Sequence, residues 1–370
     1  MCSSDLYLDI AGVIEAAKAA KCDAVHPGYG FLSENAEFAR ACAKAKIRFV
    51  GPTPEQLALF GDKAAARAQA IRCKVPVLPG TDGAVDAAGA VAFFRKNAKA
   101  GIALKAIAGG GGRGMRLIRK EDEIADAFAR ASAEALSAFG NGALYAERLV
   151  SKARHIEIQI VGDGKGGVAA LGERECTLQR RSQKIVELAP SPNLPEVLRK
   201  KIVAAAVTMA KSVSYRSLGT FEFLVEDKEF FFIEANPRLQ VEHTVTEEVW
   251  GVDLVQTQLQ GVLPDIQGPR GAAIQLRVNM ETMTADGSAK PGGGTLTVFE
   301  PPSGPGVRVD TYGYAGYRTN PNFDSLLAKV IVHGASFSAA LARGERALAS
   351  FRMEGAPSNL VFLDRKSTRL

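Results

Sequence analysis

Residues 234–243 carry the side-chain types that metal and phosphate chemistry needs. Polar residues occupy every second position from Glu234 to Glu242, with apolar residues or proline between them. In an extended chain, alternate side chains share one face. Here that face would carry metal-binding oxygens, then the Arg238 guanidinium, then a carboxylate base, whereas a solvated strand usually mixes lysine, threonine and serine. We therefore predict an extended segment whose polar face lines an active site.

A second carboxylate, Glu222, is predicted to face Glu234. Residues 220–225 and 229–235 are two β-rich runs, and residues 226–228 between them suit a hairpin turn. Folding about that turn places two carboxylates together among phenylalanines, where they would repel unless a cation lies between them. Mg²⁺ with oxygen ligands, completed by phosphate oxygens, meets that need. The alternative is an edge hairpin with two solvated glutamates.

Further residues indicate a site for phosphate. Residues 109–114 form a glycine-rich turn between two predicted strands, which favours a flap that closes over phosphates, although a floppy turn is the alternative. Lys105 ends an apolar strand, where phosphate is its expected partner. Lys63 lies at a predicted helix start, where an anion would offset the unfavourable helix dipole; a solvated lysine is equally compatible with this position.

Other polar groups are placed less specifically by the sequence. The polar run at residues 173–184 indicates either the lining of a polyanion site or a solvated loop. Arg277, on an otherwise apolar strand, requires an anion from the protein or a substrate. Residues 147–150 suit a linker whose backbone reads an adenine edge. His155, Glu157 and Gln159 should share one strand face, although an isolated histidine is more often structural.

Composition restricts the class of protein. The chain has 370 residues, 46% of them hydrophobic, which suits two or three globular domains. Its net charge of +6 is dispersed among acids, so we expect small anionic substrates and no nucleic acid. No stretch is as long and apolar as a membrane span, and the first residues lack the basic-then-apolar pattern expected of a signal peptide. We expect a cytoplasmic protein, or a matrix enzyme whose leader has been removed; five scattered cysteines predict a reducing compartment, and Cys176 is interpreted as buried filler.

The elements that must position these residues follow from periodicity and turn signals. The N-terminal region reads as an α/β repeat with a parallel sheet, beginning in mid-fold, followed by a small α/β lobe, a β-rich body and a further β-rich region after Gly268. Residues 176–195 are predicted to be irregular. Helices are predicted at residues 11–21, 35–45, 62–70, 85–97, 121–136, 198–214 and 337–351, and strands at residues 23–26, 47–50, 102–106, 115–119, 143–147, 155–161 and 168–175.

Taken together, the motifs resemble those of biotin carboxylases. His-Pro-Gly-Tyr-Gly-Phe-Leu-Ser-Glu-Asn at residues 26–35, the glycine flap, Gln-Arg-Arg-Ser-Gln-Lys at 179–184, Phe-Glu-Phe at 221–223 and residues 234–243 occur in the family's order. The resemblance implies an α/β and α+β multidomain chain with the ATP-grasp fold. Its expected parts are a partial N-terminal Rossmann-like (pre-ATP-grasp) domain at 1–60, an ATP-grasp domain at 61–268 with a mobile lid lobe at about 77–150, and an incomplete, β-rich C-terminal biotin carboxylase domain at 269–365.

The resemblance also implies ATP-dependent carboxylation of carrier-bound biotin with bicarbonate, via carboxyphosphate. The expected catalytic residues are Lys184, Arg238, Glu242 and Arg277. ATP would be held by Lys63, Lys105, Gly111, Gly112, Glu147, Arg148, Leu149, Val150, His155, Gln179 and Leu224. Mg²⁺ or Mn²⁺ would be held by Glu222, Glu234 and Asn236. Bicarbonate would be held by Lys184, Arg238, Gln240, Val241 and Glu242, and biotin by Arg277 and Tyr29.

The expected partners are a biotin carboxyl carrier protein or domain, a carboxyltransferase and a second copy of the chain. The final acceptor would be an acyl-CoA or pyruvate. No biotin-accepting Met-Lys-Met segment is present in the sequence. Two alternatives remain: another ATP-grasp ligase of the carbamoyl-phosphate synthetase type, and a non-catalytic nucleotide-binding or assembly fragment.

Overall fold

The structure, a computed structural model, describes residues 5–107, 114–150, 152–180, 183–284, 288–320 and 323–367. Its α-helices are α1 Ile10–Ala19, α2 Ala36–Lys44, α3 Pro54–Gly61, α4 Lys63–Arg72, α5 Ala87–Lys96, α6 Ile124–Phe139, α7 Glu196–Lys211, α8 His243–Trp250, α9 Leu254–Gln260, α10 Phe337–Ser350 and α11 Leu360–Ser367. Short 3₁₀ helices cover Asp5–Leu8 and Glu121–Glu123.

Several of the β-strands follow one another without a helix between them. They are β1 Ala24–Val25, β2 Arg48–Phe49, β3 Ile102–Ala106, β4 Arg116–Ile118, β5 Leu144–Arg148, β6 Arg154–Asp163, β7 Val168–Arg180, β8 Gln183–Ala189, β9 Arg216–Glu226, β10 Glu229–Asn236, β11 Ala272–Asn279, β12 Glu281–Met283, β13 Ala289–Pro291, β14 Val298–Glu300, β15 Val307–Thr311, β16 Leu326–Gly334 and β17 Arg352–Glu354.

The N-terminal region forms the predicted α/β unit. Strands β1 and β2 pair in parallel, and α2 begins where the Asn35 side chain accepts a hydrogen bond from the Phe38 amide. Phe38, Cys42 and Phe49 are buried in its small core. The parallel pairing predicted from the sequence is therefore confirmed.

The predicted small lobe is a three-stranded antiparallel sheet in the order β4-β3-β5. Helices α5 and α6 bury Ala90, Phe94 and Ile124 against Ile102 and Leu104 of β3. This lobe therefore has a hydrophobic core of its own. Its mobility as a lid stays a prediction.

The main body is an eight-stranded sheet in the order β10-β9-β6-β7-β8-β11-β16-β15, with every neighbouring pair antiparallel. Ile156 and Ile158 of β6 join Phe221 of β9 in a core that also contains residues of α4 and α7. Because strand side chains alternate, the intervening residues Glu157 and Glu222 point to the opposite face. That face forms the candidate site.

The same sheet continues through the second half of the chain. Gln275 of β11 lies opposite Glu187 of β8, so the sheet crosses the predicted domain boundary at residue 268. Helix α10 covers β11 and β16 on one face, where Ala340 and Ala347 are buried. Among the described helices, none is both long and apolar enough to cross a membrane.

Two backbone predictions were wrong. The extended segment ends at Asn236, and residues 237–242 turn into α8; Pro237, which has no amide hydrogen and a fixed φ, does not continue the ladder. Residues 176–195 are not irregular, because most of them belong to β7 and β8. Their polar side chains pair with residues on distant strands, such as Glu157 for Lys184 and Arg277 for Glu187, and sequence periodicity does not reveal such pairs.

Candidate active site

Lys184, on β8, lies among three buried carboxylates. Its Nζ atom is 2.5 Å from an oxygen of Glu157, 3.1 Å from Glu222 and 2.5 Å from Glu242. Burial alone would lower the pKa of Lys184, but these three negative charges raise it well above the usual range. Lys184 is therefore a fixed cation at the centre of the site.

Glu222, on β9, lies directly opposite Glu234 in the register with β10, as predicted. One of its oxygens accepts hydrogen bonds from Asn236 Nδ2 at 2.8 Å and Gln240 Nε2 at 3.0 Å. The other lies 2.6 Å from Nε2 of His155. Burial would raise the pKa of Glu222, but Lys184 and His155 hold it well below the usual range, so the carboxylate stays ionised.

Glu234 has a cation of its own. Lys63, the first residue of α4, places Nζ 2.8 Å from a Glu234 oxygen. Glu222, Glu234 and Asn236 offer two carboxylates and an amide on neighbouring strands, and hard oxygen ligands of this kind suit Mg²⁺. Each glutamate already pairs with a lysine ammonium group, Lys63 at Glu234 and Lys184 at Glu222, so the site stabilises positive charge. The predicted metal-binding residues therefore fit the ion in chemistry and placement.

A different cluster also brings possible ligands together. One ligand atom each of His155, Glu157 and Glu222 lies within 4.8 Å of the others. Glu157 is already paired with Lys184 and with Arg174, whose Nε is 2.5 Å from a Glu157 oxygen. Since two cations neutralise Glu157, we assign no metal to this cluster.

Glu242, the residue before α8, is shared by two cations. One oxygen faces Lys184 and the other lies 3.0 Å from Nη2 of Arg277. Burial would raise the pKa of Glu242, but the charges of Lys184, Arg277 and Arg174 hold it well below the usual range. Arg277 also donates from Nε to Glu187 at 2.5 Å. The anion partner that Arg277 required is therefore supplied by the protein itself.

Arg238 joins the N-terminal unit to the site. Its Nε is 3.0 Å from Glu34, which follows the Gly-Tyr-Gly turn, and its Nη2 donates to the Asn236 side-chain oxygen at 3.2 Å. Gln240 and the Val241 carbonyl lie beside it in the chain, and that carbonyl accepts a hydrogen bond from Lys329 at 3.2 Å. Turns rather than a strand bring Arg238, Gln240 and Glu242 to the site.

Arg174 lies within the buried network of the candidate site, although the sequence assigned it no role of its own. It is fully buried and donates to Glu157, Gln159 at 2.7 Å, Thr246 at 2.9 Å, Thr220 at 3.0 Å and Gln240 at 3.2 Å. Glu34 and Glu187 were missed as well. All three lay in or beside motifs that were singled out, but only the fold shows their partners.

Five residues expected at the nucleotide lie on β3 and β5 of the small lobe or directly after β5. Lys105 Nζ is 2.5 Å from Glu147, and the Arg148 guanidinium is 5.2 Å from the centre of the Phe231 ring. The Leu149 amide donates to the Gly101 carbonyl at 3.0 Å, and Val150 follows it. A cavity of about 380 Å³ is lined in part by Lys63 and by Ile107, the residue after β3.

Three further positions complete the predicted set. Gln179 Nε2 is 2.8 Å from Nδ1 of His155, and Leu224 lies opposite His155 in the register of β6 and β9. Tyr29 is 44% exposed on the N-terminal unit. Burial raises its pKa, while the charge of Arg277 lowers it, so these two groups share one electrostatic environment. Gly111 and Gly112 lie outside the described residues.

Comparisons with known families cover nearly the whole chain. Residues 2–57 match the biotin carboxylase N-terminal domain, residues 62–262 the ATP-binding domain of the carbamoyl-phosphate synthase L chain, and residues 275–367 the biotin carboxylase C-terminal domain. The chain belongs to the biotin carboxylase family. The carbamoyl-phosphate synthetase alternative shares only the central part, because both flanking regions match biotin carboxylase domains.

Solved biotin carboxylase structures agree with this assignment. The biotin carboxylase from Campylobacter jejuni is 38% identical and superposes with a TM-score of 0.95. The match covers 100% of this chain and 83% of the Campylobacter chain. The biotin carboxylase domain of Hydrogenobacter thermophilus 2-oxoglutarate carboxylase, a dimer in complex with MgADP, ADP and bicarbonate, is 38% identical, with coverages of 98% and 82% and a TM-score of 0.93. The predicted ATP-grasp biotin carboxylase fold is confirmed.

Longer relatives contain the same domain. Pyruvate carboxylase of Bacillus subtilis is 46% identical over 97% of this chain, and the human mitochondrial pyruvate carboxylase is 46% identical over 96%. The chain spans 32% and 31% of their lengths, about a third in each case. At the level of this domain, the predicted ligase activity is confirmed: biotin carboxylases carboxylate biotin at the expense of ATP.

Proposed function

We propose that this chain carboxylates N1′ of biotin through the site built around Lys184. The observation that carries the proposal is the position of Glu242, a buried carboxylate between the Lys184 ammonium and the Arg277 guanidinium. A base flanked by two cations suits an anionic substrate on one side and an anionic transition state on the other.

On the nucleotide side, Lys63 and Lys105 bind the phosphates of ATP. Both lysines are paired with glutamates that a phosphate can replace as partners. Glu222, Glu234 and Asn236 hold Mg²⁺ or Mn²⁺, which when bound neutralises phosphate charge and favours attack at the γ-phosphate. Residues 147–150, His155, Gln179 and Leu224 surround the rest of the nucleotide, and Gly111 and Gly112 bind its phosphates.

Bicarbonate binds between Lys184 and Arg238, with Gln240 and the Val241 backbone beside it. An anion at this position offsets the positive charge that now holds down the pKa of Glu242, so Glu242 becomes a stronger base when bicarbonate is bound. Glu242 takes the bicarbonate proton while a bicarbonate oxygen attacks the γ-phosphorus and the bond to the ADP oxygen breaks. The products are ADP and carboxyphosphate.

Carboxyphosphate then separates into CO₂ and phosphate, and biotin is carboxylated at N1′. The proton of N1′ passes to the phosphate as negative charge moves to the ureido oxygen of biotin. Arg277 stabilises that enolate-like oxygen with its guanidinium, and Tyr29 contacts the biotin ring system from the N-terminal unit.

We further infer that the biotin is attached to a carrier protein or domain and delivers its carboxyl group to a carboxyltransferase. The relatives at 46% identity are pyruvate carboxylases, which supports pyruvate as the final acceptor over an acyl-CoA. The similar biotin carboxylase domain from Hydrogenobacter thermophilus is a dimer, which supports a homodimer of this chain. The cytoplasmic location stays a prediction.

Biotin-stimulated ATP hydrolysis tests the proposal. We expect the purified chain, with Mg²⁺ and bicarbonate, to release phosphate faster when free biotin is added. Arg277→Ala should lose the stimulation, whereas Arg95→Ala, which breaks an exposed ion pair on the small lobe, should keep it. ATP binding without stimulated turnover in the unchanged chain would contradict the proposal.

A further inference from the structure

We propose that Glu187 is a positioning residue for biotin carboxylation: it holds the Arg277 guanidinium so that one edge is free for substrate. The inference rests on the proposed role of Arg277 and extends it to a residue that has no place in that mechanism. Glu187 lies on β8, three residues after Lys184, and is fully buried.

Glu187 contacts the Arg277 guanidinium along one edge only, the edge formed by Nε and Nη2. Arg277 Nε donates to a Glu187 oxygen at 2.5 Å, and Arg277 Nη2 contacts the same oxygen. Nη2 also reaches Glu242 at 3.0 Å. Among the described residues, the hydrogen bonds of Arg277 use only Nε and Nη2, which leaves Nη1 for a substrate oxygen. Glu187 therefore fixes the inner edge of the guanidinium and aims the outer edge at the site.

Glu187 is itself held in place by a second buried contact. Its other oxygen accepts a hydrogen bond from Gln275 Nε2 at 3.0 Å, and Gln275 lies directly opposite it in the strand register. The Gln275 side-chain oxygen in turn accepts a hydrogen bond from Thr244, in the first turn of α8. Thr244 is two residues after Glu242. The support of Arg277 thus runs back to the backbone that positions the base.

The charge pattern shows why a second carboxylate is needed. When Glu242 takes a proton or turns to bicarbonate, it stops neutralising Arg277. With Glu187 present, the buried guanidinium keeps a negative partner throughout, so it does not have to follow Glu242. Without Glu187, Arg277 would have Glu242 as its only carboxylate partner among the described residues, and the two would pair more tightly. Arg277 would then be drawn away from biotin.

A matched pair of variants separates this role from plain stability. Glu187→Gln removes the charge, and Glu187→Asp keeps it on a side chain one methylene shorter. Glu173→Gln is the control: Glu173 is a buried carboxylate that pairs at 2.8 Å with the partly exposed Arg199, outside the Lys184 cluster. A merely structural effect should appear equally in Glu187→Gln and Glu173→Gln.

The first readout is the ratio of biotin-stimulated to biotin-independent ATP cleavage. We expect Glu187→Gln to lower this ratio by up to about 100-fold, the size of effect that misplacing a positioned group produces. Glu187→Asp should recover part of the ratio, and Glu173→Gln should leave it unchanged. Equal ratios in Glu187→Gln and the unchanged chain would overturn the inference.

The second readout does not depend on activity. In ¹⁵N-arginine-labelled protein, the Nε–H signal of Arg277, identified by its loss in Arg277→Lys, should exchange slowly with solvent. We expect Glu187→Gln to abolish this protection and Glu173→Gln to retain it. If the unchanged chain shows no biotin stimulation, the proposed function fails, and this signal alone decides the positioning role. Protection that survives in Glu187→Gln would contradict it.

Discussion

At the scale of single residues, the site alternates buried charges of opposite sign. Glu187, Arg277, Glu242, Lys184, Glu157 and Arg174 follow one another through direct contacts. Desolvating such groups costs several kcal/mol for each ion, which well-placed partners must offset. Replacing one member leaves its neighbours unpaired, so each residue depends on the others. The cluster is therefore a single unit rather than a set of separate salt bridges.

His155 provides a direct test of this electrostatic arrangement. Burial would lower its pKa, but the neighbouring Glu222 raises it above the usual value. Glu222→Gln removes that negative charge and leaves burial and Lys184, which disfavour the protonated form, against the weaker attraction of Glu157. We therefore expect the His155 pKa to fall below 6.5 in the variant, as measured by NMR titration of the histidine ring signals.

The control for this titration lies in the same spectrum. Burial, together with Lys329, lowers the pKa of His243 to about 4, and Glu222 is not among the main causes of that shift. The chain has four histidines, so the signals are few enough to resolve. The His243 titration should be unchanged in Glu222→Gln. A His155 pKa that stays above 6.5 without Glu222 would contradict the account.

Sequence reasoning placed single residues well where the local pattern determines their position. The facing of Glu222 and Glu234 followed from a short hairpin, which needs only local information. Arg174 and Glu187 could not be assigned roles, because their partners are 15 to 90 residues away in sequence. A buried ion pair between distant strands leaves no periodic signal.

At the scale of elements, helix α4 positions Lys63 through its N-cap. The Asp62 side chain accepts a hydrogen bond from the Ala65 amide at 2.8 Å, and Lys63 is the first helical residue. A lysine here works against the helix dipole, so an acidic cap and an anionic partner both stabilise it. The local geometry of α4 therefore bears directly on phosphate binding.

Asp62→Ala tests that link. We expect the free energy of unfolding to fall by about 1 kcal/mol, which is typical of a lost N-cap, and the KM for ATP to rise because Lys63 is less well held. Urea unfolding and ATPase kinetics measure the two effects.

Asp86→Ala is the matched control. Asp86 caps α5 in the small lobe through the Gly89 amide at 2.7 Å, away from Lys63. Its loss should cost similar stability without the change in KM that is specific to Lys63. An equal KM in both variants would show that the α4 cap does not position Lys63.

The element predictions failed where tertiary contacts override local pattern. Residues 176–195 were predicted to be irregular, yet β7 and β8 contain most of them. Lys184 and Glu187 on β8 pair with residues of β6 and β11, and these contacts between strands distant in sequence leave no local signal. Residues 237–242 were predicted to be extended, but the strand ends at Asn236 and turns follow Pro237. These turns still bring the polar side chains of the segment to the predicted site.

At the scale of the whole molecule, three regions meet at one site. The N-terminal unit contributes Glu34, which pairs with Arg238 at 3.0 Å. The central strands contribute Lys184 and Glu222, and β11, beyond the predicted domain boundary, contributes Arg277. The continuous sheet from β10 to β15 holds the last two regions in register. The chemistry therefore depends on the packing of the chain as a whole.

Transfer of labelled carbon from bicarbonate to biotin tests this account most directly. With [¹⁴C]bicarbonate, ATP and Mg²⁺, we expect the chain to place acid-labile label on biotin, and to place none when ATP is omitted. Glu242→Gln should abolish the transfer because bicarbonate loses its base, while Glu248→Gln, on the Arg308 side of α8, should retain it. Hydrolysis of ATP with no label on biotin would contradict the account.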